Sequence, residues 1–371
     1  MTDERPHPPS ARPLALLAGG GSGGHVFPAL AVGDELVRRG WRVSFAGDPA
    51  GMERALADAH GVEFVPLAAR PVVGRSPAGK LRAAATLAAS ARAARRWLRA
   101  HDAAAVIGTG GYASAPAVVG AAWARRPVLL IEPNARAGVA NRWLSRFAGA
   151  AAVAFEATAR ELRCPAFVAG VPVRAELFAL PALAPDAPPS LLALGGSQGS
   201  RVLNELLPRA AAPLLAANPG LRIVHQCGVR NLAEARADWQ AAGIADDRVE
   251  VHAFVDDVAA AIGRASLVLS RAGAVTLAEL CAAGRASLLV PLGLAGGHQR
   301  DNARALEAAG AAELFEESGA RATDLGARLG RLLADPARLA AMGARARRLA
   351  RPGAAVAIAD RVEELAKVRR W

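Results

Sequence analysis

The chain has 371 residues, 53% of them hydrophobic, with 37 glycines, 24 prolines and a formal net charge of +12. That length suits two domains better than one, and the composition excludes a disordered or fibrous chain. Three well-separated cysteines (Cys164, Cys227, Cys281) with no CxxC argue against a disulfide framework or a zinc site and for a reducing compartment.

Nearly all the positive charge is arginine, since Lys80 and Lys367 are the only lysines. A coding bias toward Arg and Ala explains this as readily as an anionic partner does, and charge alone does not choose between nucleic acid, a membrane surface and an anionic substrate. The opening "MTDERPHPPSARP" has acids and prolines and no apolar core, so no signal peptide is expected there. No run reaches the ~18 apolar residues of a spanning helix, which predicts a soluble or peripheral protein.

In chain order, the apolar runs "LALLAG", "RVSFAG", "AAVIGTG", "PVLLIEP", "AAVAF" and "AFVAG" alternate with Ala- and Leu-rich helical stretches, the pattern of a parallel α/β sheet. Near Pro181, "PALAPDAPPS" reads as a linker. The pattern then restarts with "SLLALGGSQGSRVLNELL" and continues through "LRIVHQCG", "VEVHAF", "LVLSRAG" and "ASLLVPL". The expected organisation is a flexible tail at 1–12, doubly wound domains at 13–180 and 188–352, and a C-terminal helix at 353–371. Ligands are expected in a cleft where the carboxyl ends of the two sheets face each other.

Three glycine turns carry the chemistry. "GGGSGGH" satisfies G-x-G-x-x-G through Gly19, Gly21 and Gly24, with Asp48 placed where a ribose-binding acid of a dinucleotide site would lie. A tight strand-to-helix turn without ligand is the plainer reading. Neither accounts for His25 at the helix start, which reads either as a packing residue or as a catalyst. "GGSQGS", Gly195 to Ser200, repeats the turn in the second half, with Ser197 adding a hydroxyl to an anion site. In "SRAGAVTLAEL", Thr276 and Glu279 have capping-box spacing, and Glu279 alternatively suits a pair of ribose hydroxyls. "GGHQRDNARAL" adds His298, Gln299 and Asn302, while Thr109, Ser114, Glu132, Asn134 and Asn141 follow buried strands of the first half.

Residues 79–100 predict a helix with Arg82, Arg92, Arg95, Arg96 and Arg99 inside an arc of about 140°. It is either a solvated basic face or a membrane contact anchored by Trp97 and by Trp123, Arg125 and Arg126 nearby.

Taken in order, "GGGSGGHVFPALAV", "GTGGYASAPAVV", "EPNARAGVANRWLS", "GVPVR", "LGGSQGSRVLNELLP", "FVDDVAAAIGRASLVLSRAGAVTLAEL" and "GGHQRDNA" make the chain resemble the MurG family of bacterial glycosyltransferases. The resemblance covers Leu14 to about Ala312 and implies a GT-B fold, two Rossmann-like parallel-sheet domains facing across a cleft. It implies UDP-N-acetylglucosamine as donor and undecaprenyl-diphosphate-N-acetylmuramoyl-pentapeptide (lipid I) as acceptor, joined with inversion to give lipid II. Donor contacts carry onto Ser22, Gly23, Gly24, Asn134, Arg174, Ser197, Val255, Ala274, Val275, Thr276, Leu277, Ala278, Glu279 and Gln299, and the general base onto His25. Within this resemblance Glu279 as a ribose ligand outranks the cap. It further implies a peripheral enzyme on the cytoplasmic side of the cell membrane, with other wall-synthesis proteins as candidate partners, no nucleic acid and no cofactor or metal. The family usually has Gln where this chain has Pro133 and Asn where it has Val171. A UDP-N-acetylglucosamine 2-epimerase, an NAD-dependent oxidoreductase and a non-catalytic membrane scaffold are the competing readings.

Overall fold

A computed structural model describes residues 12–21, 23–71, 75–184, 187–196, 198–244, 247–293 and 297–368. Most of the tail expected at 1–12 lies outside the described residues. The chain forms two compact units. One comprises Met1–Glu132, Ala137–Ala169 and Ala355–Trp371, the other Pro133–Arg136 and Gly170–Ala354.

In the first unit, β1 (Leu14–Ala18), β2 (Arg42–Gly47), β3 (Glu63–Pro66), β4 (Ala105–Gly108), β5 (Val128–Glu132), β6 (Ala150–Val153) and β7 (Ala166–Val168) form one parallel sheet, in the order β3-β2-β1-β4-β5-β6-β7. The second unit repeats the plan with β8 (Ser190–Leu194), β9 (Arg222–Gln226), β10 (Val249–His252), β11 (Leu267–Ser270), β12 (Ala286–Leu289) and β13 (Ala312–Leu314), in the order β10-β9-β8-β11-β12-β13. Central strands covered on both faces must be apolar throughout, and every residue of β1, β4 and β5 except Glu132 at the end of β5 is a buried apolar residue or glycine. The strand order reverses between β1 and β4 and again between β8 and β11. By the rule for open α/β sheets, each reversal opens a ligand crevice beyond the strands' carboxyl ends.

Two edge strands, β3 and β13, were not among the expected strands. "EFVP" is short and mostly exposed, and "AEL" is only three residues long with a glutamate at its centre, so neither shows an apolar buried-strand run. The C-terminal helix, Ala354–Lys367, packs on the first unit. Ile358, Ala359 and Val362 are fully buried in the first unit's core with Leu17, Leu129 and Ile131. Arg39 donates to Asp360 at 2.6 Å and Trp41 Nε1 to Glu363 at 3.2 Å, fastening the helix to that unit.

The change of unit falls at Gly170 rather than within 180–188. Two arginines explain why. Arg285, buried and without a carboxylate partner among the described residues, donates to the carbonyls of Ile262, Gly263, Ala283 and Pro181, and Arg347 donates to those of Phe178 and Leu180. The segment that reads as linker is thereby sewn to the second unit.

Candidate active site

The first unit's crevice is built by the loops after β1 and β4. His25 lies in the first turn of the Gly23–Arg38 helix, half-buried. Its Nδ1 is 2.8 Å from the Thr109 carbonyl, which can only accept, so Nδ1 carries the proton and Nε2 is the basic nitrogen. The Thr109 hydroxyl, fully buried, donates to the His25 carbonyl at 2.5 Å. One threonine thus holds the histidine at both backbone and ring.

The glycines here are spacing devices. A Cβ on Gly111 would stand 2.5 Å from the Gly20 carbonyl and 3.3 Å from His25 Cδ2, so the loop after β4 can close on the imidazole only as glycine. Tyr112, 37% exposed, borders Gly21, and Phe27 lies against Gly23. Burial, then the charges of Asp48 and Glu53, raise the Tyr112 phenol above its ordinary range. Gly24 is half-buried beside these, and Ser22 lies outside the described residues. Asp48 accepts from the Ala50 amide at 3.0 Å and serves its own turn.

In the second unit, Glu279 sits in the Ala274–Ala283 helix, 3.2 Å from the guanidinium of Arg174. Burial raises the Glu279 carboxyl above its ordinary range, while Arg174 pulls the other way. The helix begins at Ala274, with Gly273 as N-cap and no side-chain cap. Thr276 is therefore inside the first turn, and the capping-box alternative is not realised. The leading amides of a ten-residue helix are left without a side-chain cap, a favourable setting for negative charge. Leu277 is buried, whereas Ala274, Val275, Thr276 and Ala278 are half-exposed beside Glu279.

Asn302 draws Asn134 to this helix. Its side chain donates to Asn134 Oδ1 at 3.1 Å and to the Ala272 carbonyl at 3.2 Å, and accepts from the Ala135 amide at 2.7 Å. Gln299 accepts from the Leu292 amide at 2.9 Å, so it shapes the loop after β12. Val255 is half-exposed in the loop after β10, next to the exposed Phe254. Ser197 lies outside the described residues. Of the two departures, Val171 is buried and Pro133 is buried directly before Asn134.

The basic helix runs Pro77–Ala100, and its residues divide. Arg82, Arg92 and Arg96 are exposed, as are Arg125 and Trp123, the last by 42%. Arg95 is half-buried, Trp97 packs on the core and stacks on His101 at 4.4 Å, and Arg126 donates to Asp102 at 2.7 Å. Trp97 and Arg126 are thus engaged within the unit, whereas the Arg95 Nε is buried with no hydrogen-bond partner among the described residues. The helix buries Ala91 and Ala94 at Gly120, too closely for any larger residue there.

Sequence reasoning missed two groups. Arg271 pairs with Glu317 through two contacts of 3.1 Å, and Glu317 also accepts from the Gly293 amide at 2.9 Å, bracing the loop after β12. Arg271 stands inside the quoted "SRAGAVT" but had no partner nearby to mark it. Glu53, fully buried, accepts from the Gly21 amide at 2.7 Å from 32 residues away, in a stretch with no motif.

Residues 15–153 match the glycosyltransferase family 28 N-terminal domain and residues 190–359 the glycosyltransferase family 28 C-terminal domain. The chain is 42% identical over 357 residues to a UDP-N-acetylglucosamine--N-acetylmuramyl-(pentapeptide) pyrophosphoryl-undecaprenol N-acetylglucosamine transferase of Xanthomonas campestris, covering 95% of this chain and 81% of that one. It is 40% identical to the enzyme of the same name from Methylibium petroleiphilum, covering 96% and 98%. Among solved structures it is similar to Acinetobacter baumannii MurG, with a TM-score of 0.77, 31% identity and coverage of 95% and 99%. Matched end to end in sequence and in fold, the chain belongs to the MurG family of glycosyltransferases.

Proposed function

We propose that this chain transfers N-acetylglucosamine from UDP-N-acetylglucosamine to the 4-hydroxyl of N-acetylmuramic acid in lipid I, with inversion, forming lipid II for peptidoglycan synthesis. The observation that carries the reading is the match over 95% of the chain to transferases of that name. The imidazole held by Thr109 supplies the chemistry such a transfer needs.

A sugar hydroxyl is a weak nucleophile. As its oxygen bonds to the anomeric carbon, its proton passes to His25 Nε2, a step that contributes about 10²–10⁴-fold in rate. The bond from the anomeric carbon to the diphosphate breaks in the same displacement, and UDP leaves with the electron pair. The second unit holds the donor. Glu279, ionised, accepts from the ribose hydroxyls, while the uncapped amides at Ala274–Thr276 and the Arg174 guanidinium offset the diphosphate charge.

The first unit docks on the anionic cytoplasmic leaflet through Arg82, Arg92, Arg96, Arg125 and Trp123, each arginine worth ~1 kcal/mol at such a surface. Among the described residues no helix is long and apolar enough to cross a membrane. The test is acceptor dependence. With a short-chain lipid I analogue, labelled N-acetylglucosamine should appear in product and UDP should be released only when the analogue is present. Epimerised UDP-sugar formed without acceptor would overturn the reading in favour of an epimerase.

A further inference from the structure

The first glycine turn contains a buried carboxyl of its own. Glu53 is 0% exposed, opening the Glu53–Ala59 helix after β2, and its side chain runs back beneath the turn. Oε1 accepts from the Gly21 amide at 2.7 Å. Oε2 is buried and has no hydrogen-bond partner among the described residues. A cage of glycines makes room for the carboxyl. A Cβ on Gly20 would meet Oε1 at 1.6 Å, one on Gly51 would meet Oε2 at 1.6 Å, and one on Gly47 would meet the Glu53 Cβ at 2.9 Å.

A buried carboxyl with one hydrogen bond and, among the described residues, no ion pair is costly, and nothing in the fold of β2 requires one there. An apolar residue would fill the same space at lower cost. What the carboxyl does that an apolar residue cannot is hold the Gly21 amide. Gly21 has φ +83°, borders the Tyr112 ring, and stands four residues before His25.

We propose that Glu53 is a positioning residue for transfer: its buried carboxyl pegs the glycine turn at Gly21 and so fixes the start of the helix that carries His25. The proposal rests on His25 acting as the base. It assigns Glu53 no contact with substrate, and it makes the first turn a scaffold for proton transfer, its Gly21 amide already engaged.

The experiment compares Glu53→Gln, Glu53→Asp and Glu53→Ala in the full chain, reading kcat, KM for UDP-N-acetylglucosamine, Tm and the amide resonance of Gly21. Gln keeps an acceptor oxygen of the same reach and should retain kcat within about threefold. Asp, one methylene shorter, and Ala cannot hold the amide and should lose about 10- to 100-fold in kcat, since displacements of about 1 Å at a reacting group cost this much. KM for the donor should change less than kcat in all three, because Glu279 and Arg174, proposed to hold the nucleotide, are in the other unit. The Gly21 amide should resonate downfield in wild type and Gln and shift upfield in Ala. The proposal is overturned if Asp and Ala keep wild-type kcat, or if kcat, donor KM and Tm deteriorate together in all three including Gln. Should wild type itself show no transfer, the functional reading fails, and the Gly21 resonance separately decides the peg: an ordinary amide position in wild type sinks it.

Discussion

The two strand-to-helix glycine turns, one after β1 and one after β8, follow the same local plan and are prepared in opposite ways. At the first, the Gly21 amide is taken by a buried carboxylate, and Tyr112, Gly111 and the imidazole crowd around it. At the second, the described groups that hold the backbone are neutral: Gln226 donates to the Gly196 carbonyl at 3.1 Å, and Ser200 caps its own helix at the Leu203 amide. A Cβ on Gly196 would meet nothing within 4 Å. A turn whose amide already serves a carboxyl has fewer donors left for an anionic ligand, whereas no carboxyl is among the described groups that hold the second turn. A glycine-rich turn is therefore not a function in itself. What lies beneath it decides.

The comparison breaks most directly at its charged centres. His25→Ala should lower kcat about 10²–10⁴-fold while UDP affinity is unchanged, measured by transfer assay and calorimetry. Gly20→Ala drives a methyl group into the Glu53 carboxyl and should cost about 3 kcal/mol in unfolding free energy. Gly196→Ala, strained by φ +83° but meeting no atom, should cost about 1 kcal/mol, so equal losses in denaturant titrations would erase the contrast. Glu279→Gln should weaken UDP binding about 10-fold or more, as expected for losing a charged acceptor.

Glu279 also sets a pH dependence. Because burial raises its carboxyl, protonation begins above the ordinary carboxylate range as pH falls, and UDP affinity should decline there in wild type. The Gln variant should lack that decline. The sign for stability is opposite: a raised carboxyl favours the folded state at low pH, and that contribution is lost as pH rises through the folded value. A further effect belongs to the membrane face. Reversing charge at Arg92 and Arg96 should reduce binding to anionic vesicles by ~1 kcal/mol per residue or somewhat more, whereas reversal at Arg126 should act first on its ion pair with Asp102.

How much of this was legible in the sequence depended on how local the cause was. Strands such as β1 and β8 announce themselves because a central parallel strand is apolar along its whole length. β3 and β13 do not, since they are only four and three residues long and each carries a glutamate that interrupts an apolar run. The apolar stripe Ile358, Ala359 and Val362 marks an amphipathic helix, yet a stripe does not name the core it joins. The spacing of Thr276 and Glu279 fits a cap, but spacing alone does not say that the helix begins at Ala274. His25 stood out because neither a plain turn nor a dinucleotide fingerprint needs it. Glu53 did not, because the amide it serves is 32 residues away and only the fold brings them together. Arg285 and Arg347 were unreadable for the same reason, their partners being backbone carbonyls of a segment that looks like linker.

The central claim is a division of labour, with proton transfer in one unit and donor binding in the other. The measurement that reaches it most directly pairs His25→Ala with Glu279→Gln and reads two quantities in each: UDP affinity by calorimetry, and single-turnover transfer to a short-chain lipid I analogue at saturating donor. The account predicts a crossed result, with turnover lost and affinity kept in the first variant, affinity lost and saturated turnover largely kept in the second. If both quantities fall together in both variants, the two residues do not have separate roles and the division is wrong.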